Sequence, residues 1–212
     1  MSLITLTDPR SPVSEAYRTL RTNLSFHSLD DPLRTLVITS PAPDTGADEA
    51  AANLAVTMAQ SGKRTVLVEC DLRRPSLHTY FDLPSEPGLT DYILGDVQLP
   101  LLETAVENLF LLPAGALPPN PADLLGSGKI DEIIGGLLPE VDIILFHAPP
   151  VIAVTDATVL GSKVDGVLLV VQAGKTRRDH AQRAKDVLAK AKVRIVGVTL
   201  TNAPKDGLIG SY

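Results

Sequence analysis

Short apolar runs of strand length alternate along this chain with stretches of helical spacing, and that alternation limits the fold more than any other feature. The runs lie at Thr35 to Thr39, Thr65 to Val68, Leu109 to Leu112, Asp142 to Phe146, Gly166 to Val171 and Arg194 to Leu200. Several are rich in β-branched residues and lack period-2 alternation, so they are expected to be buried on both faces. Between them Ala51, Leu54, Ala55, Met58 and Ala59 recur at helical spacing, with Gly62 closing that helix. A second helix is expected from Thr176 to Lys192, with a basic outer face and Ala181, Ala184, Val187 and Leu188 turned inward. The predicted architecture is α/β: a doubly wound, mostly parallel sheet with helices on both faces. In such sheets ligands bind beyond the carboxyl ends of the strands, where the loops after Thr39, Glu69 and His147 should converge.

A chain of 212 residues suits one such domain, over 1–212, and is short for two. Its formal charge of -6 argues against duplex nucleic acid as a partner. The single cysteine, Cys70, excludes an intramolecular disulfide and points to a reducing cytoplasm. No apolar run reaches the length of a membrane span, and Met1-Ser2 opens no signal-peptide pattern. The expectation is a cytoplasmic protein, without membrane insertion, that a partner recruits to the inner face of the membrane.

The loop after the first run reads Ser40-Pro41-Ala42-Pro43-Asp44-Thr45-Gly46-Ala47-Asp48-Glu49 and leads into the Ala-rich helix. A phosphate-binding loop in this place ends Gly-Lys-Ser/Thr, because the Lys neutralises the β/γ-phosphates and the hydroxyl holds Mg²⁺. Ala47 and Asp48 stand there instead, a methyl for a cation and a carboxylate for a hydroxyl. Thr45-Gly46-Ala47-Asp48 also has the spacing of a capping box. Thr45 would accept from a first-turn N–H while an acid reaches back, and Asp48 and Glu49 would offset the helix dipole in place of a phosphate.

Three further segments carry a resemblance. Val66-Leu67-Val68-Glu69-Cys70-Asp71-Leu72-Arg73-Arg74-Pro75 resembles the second acidic motif of the bacterial tyrosine kinases that regulate capsule and exopolysaccharide export, a branch of the deviant-Walker P-loop ATPases. Ile143-Ile144-Leu145-Phe146-His147-Ala148-Pro149-Pro150 is similar to that family's Walker B strand, which ends in Asp before Thr/Ser and two prolines. Ser14-Glu15-Ala16-Tyr17-Arg18-Thr19-Leu20-Arg21 matches its Glu-x-x-Arg-x-x-Arg helix, and the likeness runs from about residue 8 to 203. The resemblance implies a P-loop NTPase-like fold and, in an active member, ATP, Mg²⁺ and protein-tyrosine phosphorylation.

Set against that family, Ala47 replaces the phosphate-binding Lys, Asp48 the Mg²⁺-binding hydroxyl, His147 the Walker B Asp and Glu69 an acidic-motif Asp, leaving Asp71 as a vestigial base. Each lost or reversed charge is worth ~4 kcal/mol gross at ~4 Å and an effective dielectric of ~20. A micromolar nucleotide has only ~8 kcal/mol of binding free energy. The loop Pro43, Asp44, Thr45, Gly46, Ala47, Asp48 and Glu49 is therefore expected to be a vestigial nucleotide site, with no cofactor bound.

His147, Cys70, Glu69 and Asp71 could be read as a metal set, but one Cys and one His make no metal signature. No metal site is expected; His147 should instead bond a neighbouring carboxylate, and Arg73 and Arg74 should pair with acids in the same crevice. On the helix expected over 12–28, Val13, Tyr17, Leu20 and Leu24 should pack inward, leaving Glu15, Arg18 and Arg21 on a charged face; the resemblance implies that these three reach a second subunit. The tail, 204–212, retains one phosphorylation candidate, Tyr212.

Three functions fit. One is a catalytically dead homologue, a scaffold or regulator acting through homo-oligomers, an active paralogue or a membrane-bound polysaccharide co-polymerase. Another is an active ATP-dependent autokinase with unusual residues, or an inactivated form of one. A third is a cell-positioning ATPase of the same superfamily, which should carry a Lys early in the loop where Ala42 stands.

Overall fold

The computed structural model describes residues 2–26, 32–95 and 97–203. Seven strands form one sheet: β1 (Thr35–Thr39), β2 (Thr65–Glu69), β3 (Leu102–Glu103), β4 (Leu109–Leu112), β5 (Ile143–His147), β6 (Gly166–Gln172) and β7 (Ile195–Thr201). Their order is β3-β4-β2-β5-β1-β6-β7, parallel throughout except for β3. β1, β2 and β5 are buried along their whole length, as their unalternated apolar runs require. The helices are α1 (Ile4–Thr7), α2 (Pro12–Phe26), α3 (Ala47–Gln60), α4 (Leu77–Tyr80), α5 (Leu89–Leu94), α6 (Pro121–Gly126), α7 (Gly128–Leu137), α8 (Asp156–Gly161) and α9 (Arg178–Lys190).

Two cores lie on the two faces of the sheet. Ala51, Leu54, Ala55 and Met58 of α3 pack with Leu36, Ile38, Leu67 and Leu145 on one side; Ile130, Ile133, Leu160 and Leu188 pack with Val66, Ile144 and Phe146 on the other. The doubly wound α/β fold is thus the observed one.

The differences from expectation have local causes. α3 begins at Ala47, and the left-handed Gly62 (φ 87) closes it. α9 is shorter than the apolar spacing implies, because Lys192 takes a positive φ of 57. β5 extends to His147, and β7 starts at Ile195 and is not buried on both faces, since Val198 and Leu200 are exposed. The two-residue β3 is too short to give a periodic signal. α2 buries Leu24 and part of Tyr17 and Leu20, but Val13 points outward, a correction to the inward stripe that follows from its place in the first turn, ahead of the contact with α3. Positions 27 and 28 of the expected helix, and the whole of 204–212 with Tyr212, lie outside the described residues.

Candidate functional site

Strand register assembles the site. β2 pairs Glu69 with His147, and β1 pairs Ile38 with the same His147, so the ends of three neighbouring strands meet at one imidazole. His147 Nδ1 lies 2.8 Å from Glu69 Oε1, with the two residues 5% and 1% exposed. Glu69 Oε1 also accepts from the Asp71 N–H, and Oε2 from the N–H groups of Ser76 and Leu77, each at 3.0 Å. A carboxylate offers about four acceptor positions. Four donors take them, which is how a buried charge is tolerated.

Burial by itself pushes the His147 imidazole down, but the Glu69 carboxylate overrides it by charge and by hydrogen bond. With Asp48 and Asp71 adding to the pull, its pKa is held above the ordinary value of 6.5. Burial, and then Glu69, Asp156 and Asp71, push the neighbouring Cys70 thiol up, so it is no thiolate nucleophile or ligand.

The loop from β1 to α3 lines a cleft of about 290 Å³ together with Asp71, Arg73, Arg74, Ser76 and the His147-to-Pro150 segment. Asp44 (φ 55) and Gly46 (φ 73) are both left-handed. Long-range bonds pin the loop: Lys175 Nζ donates to the Asp44 carbonyl at 2.9 Å, and Thr201 Oγ1 donates to that of Thr45 at 2.8 Å. Thr39 Oγ1, donating to the Pro149 carbonyl at 2.7 Å, ties it to the loop after β5.

The expected capping box does not form. Gly46 is the N-cap, in a left-handed conformation and without a side chain, and Thr45 Oγ1 is buried with no partner among the described residues. Asp48 does not reach back either; its Oδ2 accepts from Ser76 Oγ and Tyr80 OH, both at 3.1 Å. Burial and then Asp48 push the Tyr80 phenol up, so it stays a donor. Glu49 is exposed in the first turn, where the dipole favours it. Ala47 is 8% exposed and belongs to the core beneath α3.

Asp71 Oδ1 accepts from the N–H groups of Arg73 and Arg74 at 3.2 and 3.0 Å, closing its own turn. Arg73 Nη2 pairs with Asp156 Oδ1 at 3.3 Å, the predicted use of an arginine in this crevice. Asp156 is fully buried, and its other oxygen has no partner among the described residues. No pairing of Arg74 through its side chain is seen among them. Ser76, Tyr80, Lys175 and Thr201 were not legible from the sequence, because each meets the loop across 28 or more residues and leaves no local spacing to read.

On α2, Arg18 pairs with Glu15 at 2.7 Å and also donates to the Pro9 carbonyl at 2.6 Å. Arg21 donates to the Thr57 carbonyl of α3 at 2.8 Å. These three residues do not reach the cleft.

No protein-family profile matches the chain. Individual relatives do. It is 39% identical over 201 residues to "Tyrosine-protein kinase YwqD" of Bacillus subtilis (strain 168), covering 94% of this chain and 85% of that one. It is 38% identical over 200 residues to "Putative tyrosine-protein kinase CapB" of Staphylococcus aureus, covering 93% and 88%. Among solved structures, the chimerical protein CapA2B2 superposes with a TM-score of 0.92 at 34% identity, covering 95% of this chain and 90% of that one.

Proposed function

From the premise that the chain belongs to the family of bacterial tyrosine kinases of capsule and exopolysaccharide synthesis, we propose that it is a catalytically degenerate member. It works as a scaffold or regulator of polysaccharide synthesis and export, without phosphorylating tyrosine. The observation that carries this reading is the buried His147–Glu69 pair, in which an imidazole sits where the family motif puts a metal-binding carboxylate.

The residues present do not suit Mg·ATP. Mg²⁺ takes hard oxygen ligands. At the matching positions Glu69 has its acceptor sites filled by four donors, and Asp48 is turned toward Ser76 and Tyr80. His147 brings an imidazole already bonded to Glu69 where the family motif has a carboxylate. Ala47 brings no cation to the phosphates, and its place in the core under α3 leaves a longer side chain to be accommodated. Metal and phosphates thus both lack the groups that would hold them.

What such a protein retains is surface. Assembly with itself, with an active paralogue or with a membrane-bound polysaccharide co-polymerase would give it a role. Among the described residues no helix is long and apolar enough to cross a membrane.

The test is calorimetric titration with Mg·ATP and Mg·ADP. No heat of binding is expected at cellular nucleotide concentrations. A dissociation constant in the low micromolar range would show that the site is alive and the reading wrong.

A further inference from the structure

One irregularity in the sheet leaves an apolar strip uncovered. β6 and β7 pair Val167 with Ile195 and then Leu168 with Gly197, so Val196 is an extra residue, a β-bulge. Val196 is buried, tucked over Gly166, where a Cβ would come within 2.3 Å of its Cγ1. Residues paired across a ladder share a face, so beyond the bulge Val198 and Leu200 stand beside Leu169 and Val171. That is the face that α9 covers. Yet α9 buries fully only Ala184 and Leu188, and Val198 and Leu200 stay 61% and 54% exposed.

The result is a groove of about 800 Å³ floored by Leu169, Val171, Ile195 and Val198 and walled by Arg178 and Lys185 of α9. Among the described residues neither cation makes an ion pair, whereas Asp179, the acid on the same wall, is neutralised by Arg177. β7 is also the last strand of the sheet, and among the described residues no strand pairs with its outer edge. Such an edge presents alternate unpaired N–H and C=O groups, a template for another chain.

We propose that β7 accepts an extended segment of a partner chain as an eighth strand, one whose face turned to α9 carries apolar side chains flanked by acidic ones. The free backbone edge supplies the ladder, every second side chain faces the groove, and of these the apolar ones meet its floor while the acidic ones meet Arg178 and Lys185. Two isolated cations over an apolar floor, on a chain of net charge -6, suit an acidic peptide and not a nucleic acid. The inference does not rest on the state of the nucleotide loop. It does bear on it, because Thr201 at the end of β7 holds the Thr45 carbonyl.

The probe is a fluorescein-labelled, end-capped peptide, Glu-Thr-Val-Thr-Ile-Thr-Glu, with Glu, Val, Ile and Glu on one face, titrated into the full chain by anisotropy, with hydrogen exchange to locate it. Binding that weakens with salt, with slowed exchange of the β7 amides, is expected. Arg178→Glu with Lys185→Glu, and separately Val198→Asp, should each weaken it about tenfold. All three positions are on the surface, so these variants should keep the wild-type melting temperature. Absence of binding, equal binding of the Lys-for-Glu peptide, or protection elsewhere than β7 would overturn the proposal. So would protection, without peptide, of the outward-facing β7 amides that do not pair with β6, since a second copy or the chain itself would then fill the edge.

Discussion

At the carboxyl end of β5 the His147 imidazole changes its proton affinity on folding. The pKa of His147 is raised on folding, so the folded chain binds more protons than the unfolded one in the interval between the two values. The stabilisation is therefore complete below the unfolded value of ~6.5 and is lost as pH rises through the folded value. Melting temperature measured from about pH 6 to about pH 8, below the range where the unfolded Cys70 thiol ionises, should fall in the wild type and stay flatter in His147→Gln. A wild-type curve that rises or stays level over that range would mean that His147 is neutral. Asp48 offers a second test. As the acceptor for Ser76 and Tyr80 it holds α4 to the start of α3, so Asp48→Lys should cost about 1–3 kcal/mol, or several degrees of melting temperature. A capping role alone would leave Tyr80 untouched, so the Tyr80 phenol pKa, by absorbance, separates the two accounts: it should fall in the variant.

Among the elements, α2 keeps side chains that its docking on α3 does not use. It docks on α3 through Leu24, Tyr17 and Leu20 and leaves Val13 and Phe26 exposed. The three charged residues read as an assembly motif divide in the structure. Glu15 and Arg18 pair in solvent, where such a pair contributes little, while Arg21 is committed to the Thr57 carbonyl. If the helix builds an oligomer, replacing Glu15, Arg18 and Arg21 together by Ala should give a monomer by light scattering at concentrations where the wild type assembles. Arg21→Ala alone should also lower stability by about 1 kcal/mol, a cost that Glu15→Ala should not show. A wild-type protein that is monomeric at every concentration would remove self-assembly from its functions.

Across the whole molecule, the positions proposed to have lost their nucleotide-binding groups lie beyond the ends of three strands, so restoring them one at a time should not add. Ala47→Lys, Asp48→Ser, Glu69→Asp and His147→Asp together should restore Mg·ATP affinity, measured by calorimetry, whereas each alone should not. Ala47→Lys by itself sets an ammonium beside Asp48. Recovery in a single variant, or none in the quadruple, would show that other residues hold the site. The alternation of apolar runs was enough to specify a parallel doubly wound sheet, because strands buried on both faces and helices with one apolar stripe can be covered in few other ways. The residues at the strand ends were legible for the same reason: a loop that follows a buried strand must emerge at the carboxyl edge. The sequence could likewise name His147 as the partner of a carboxylate, since a buried imidazole needs one. Only the tertiary structure decided which acid. Register placed Glu69 opposite it, while Asp48 turned to Ser76 and Tyr80, a choice made across 28 and 32 residues. It also decided the left-handed Gly46 cap over the expected Thr45 cap, and the bulge at Val196 that turns Val198 and Leu200 outward. A period of two or of 3.6 reports which face a residue takes within its own element; which groups then meet depends on how elements far apart in sequence are brought into register.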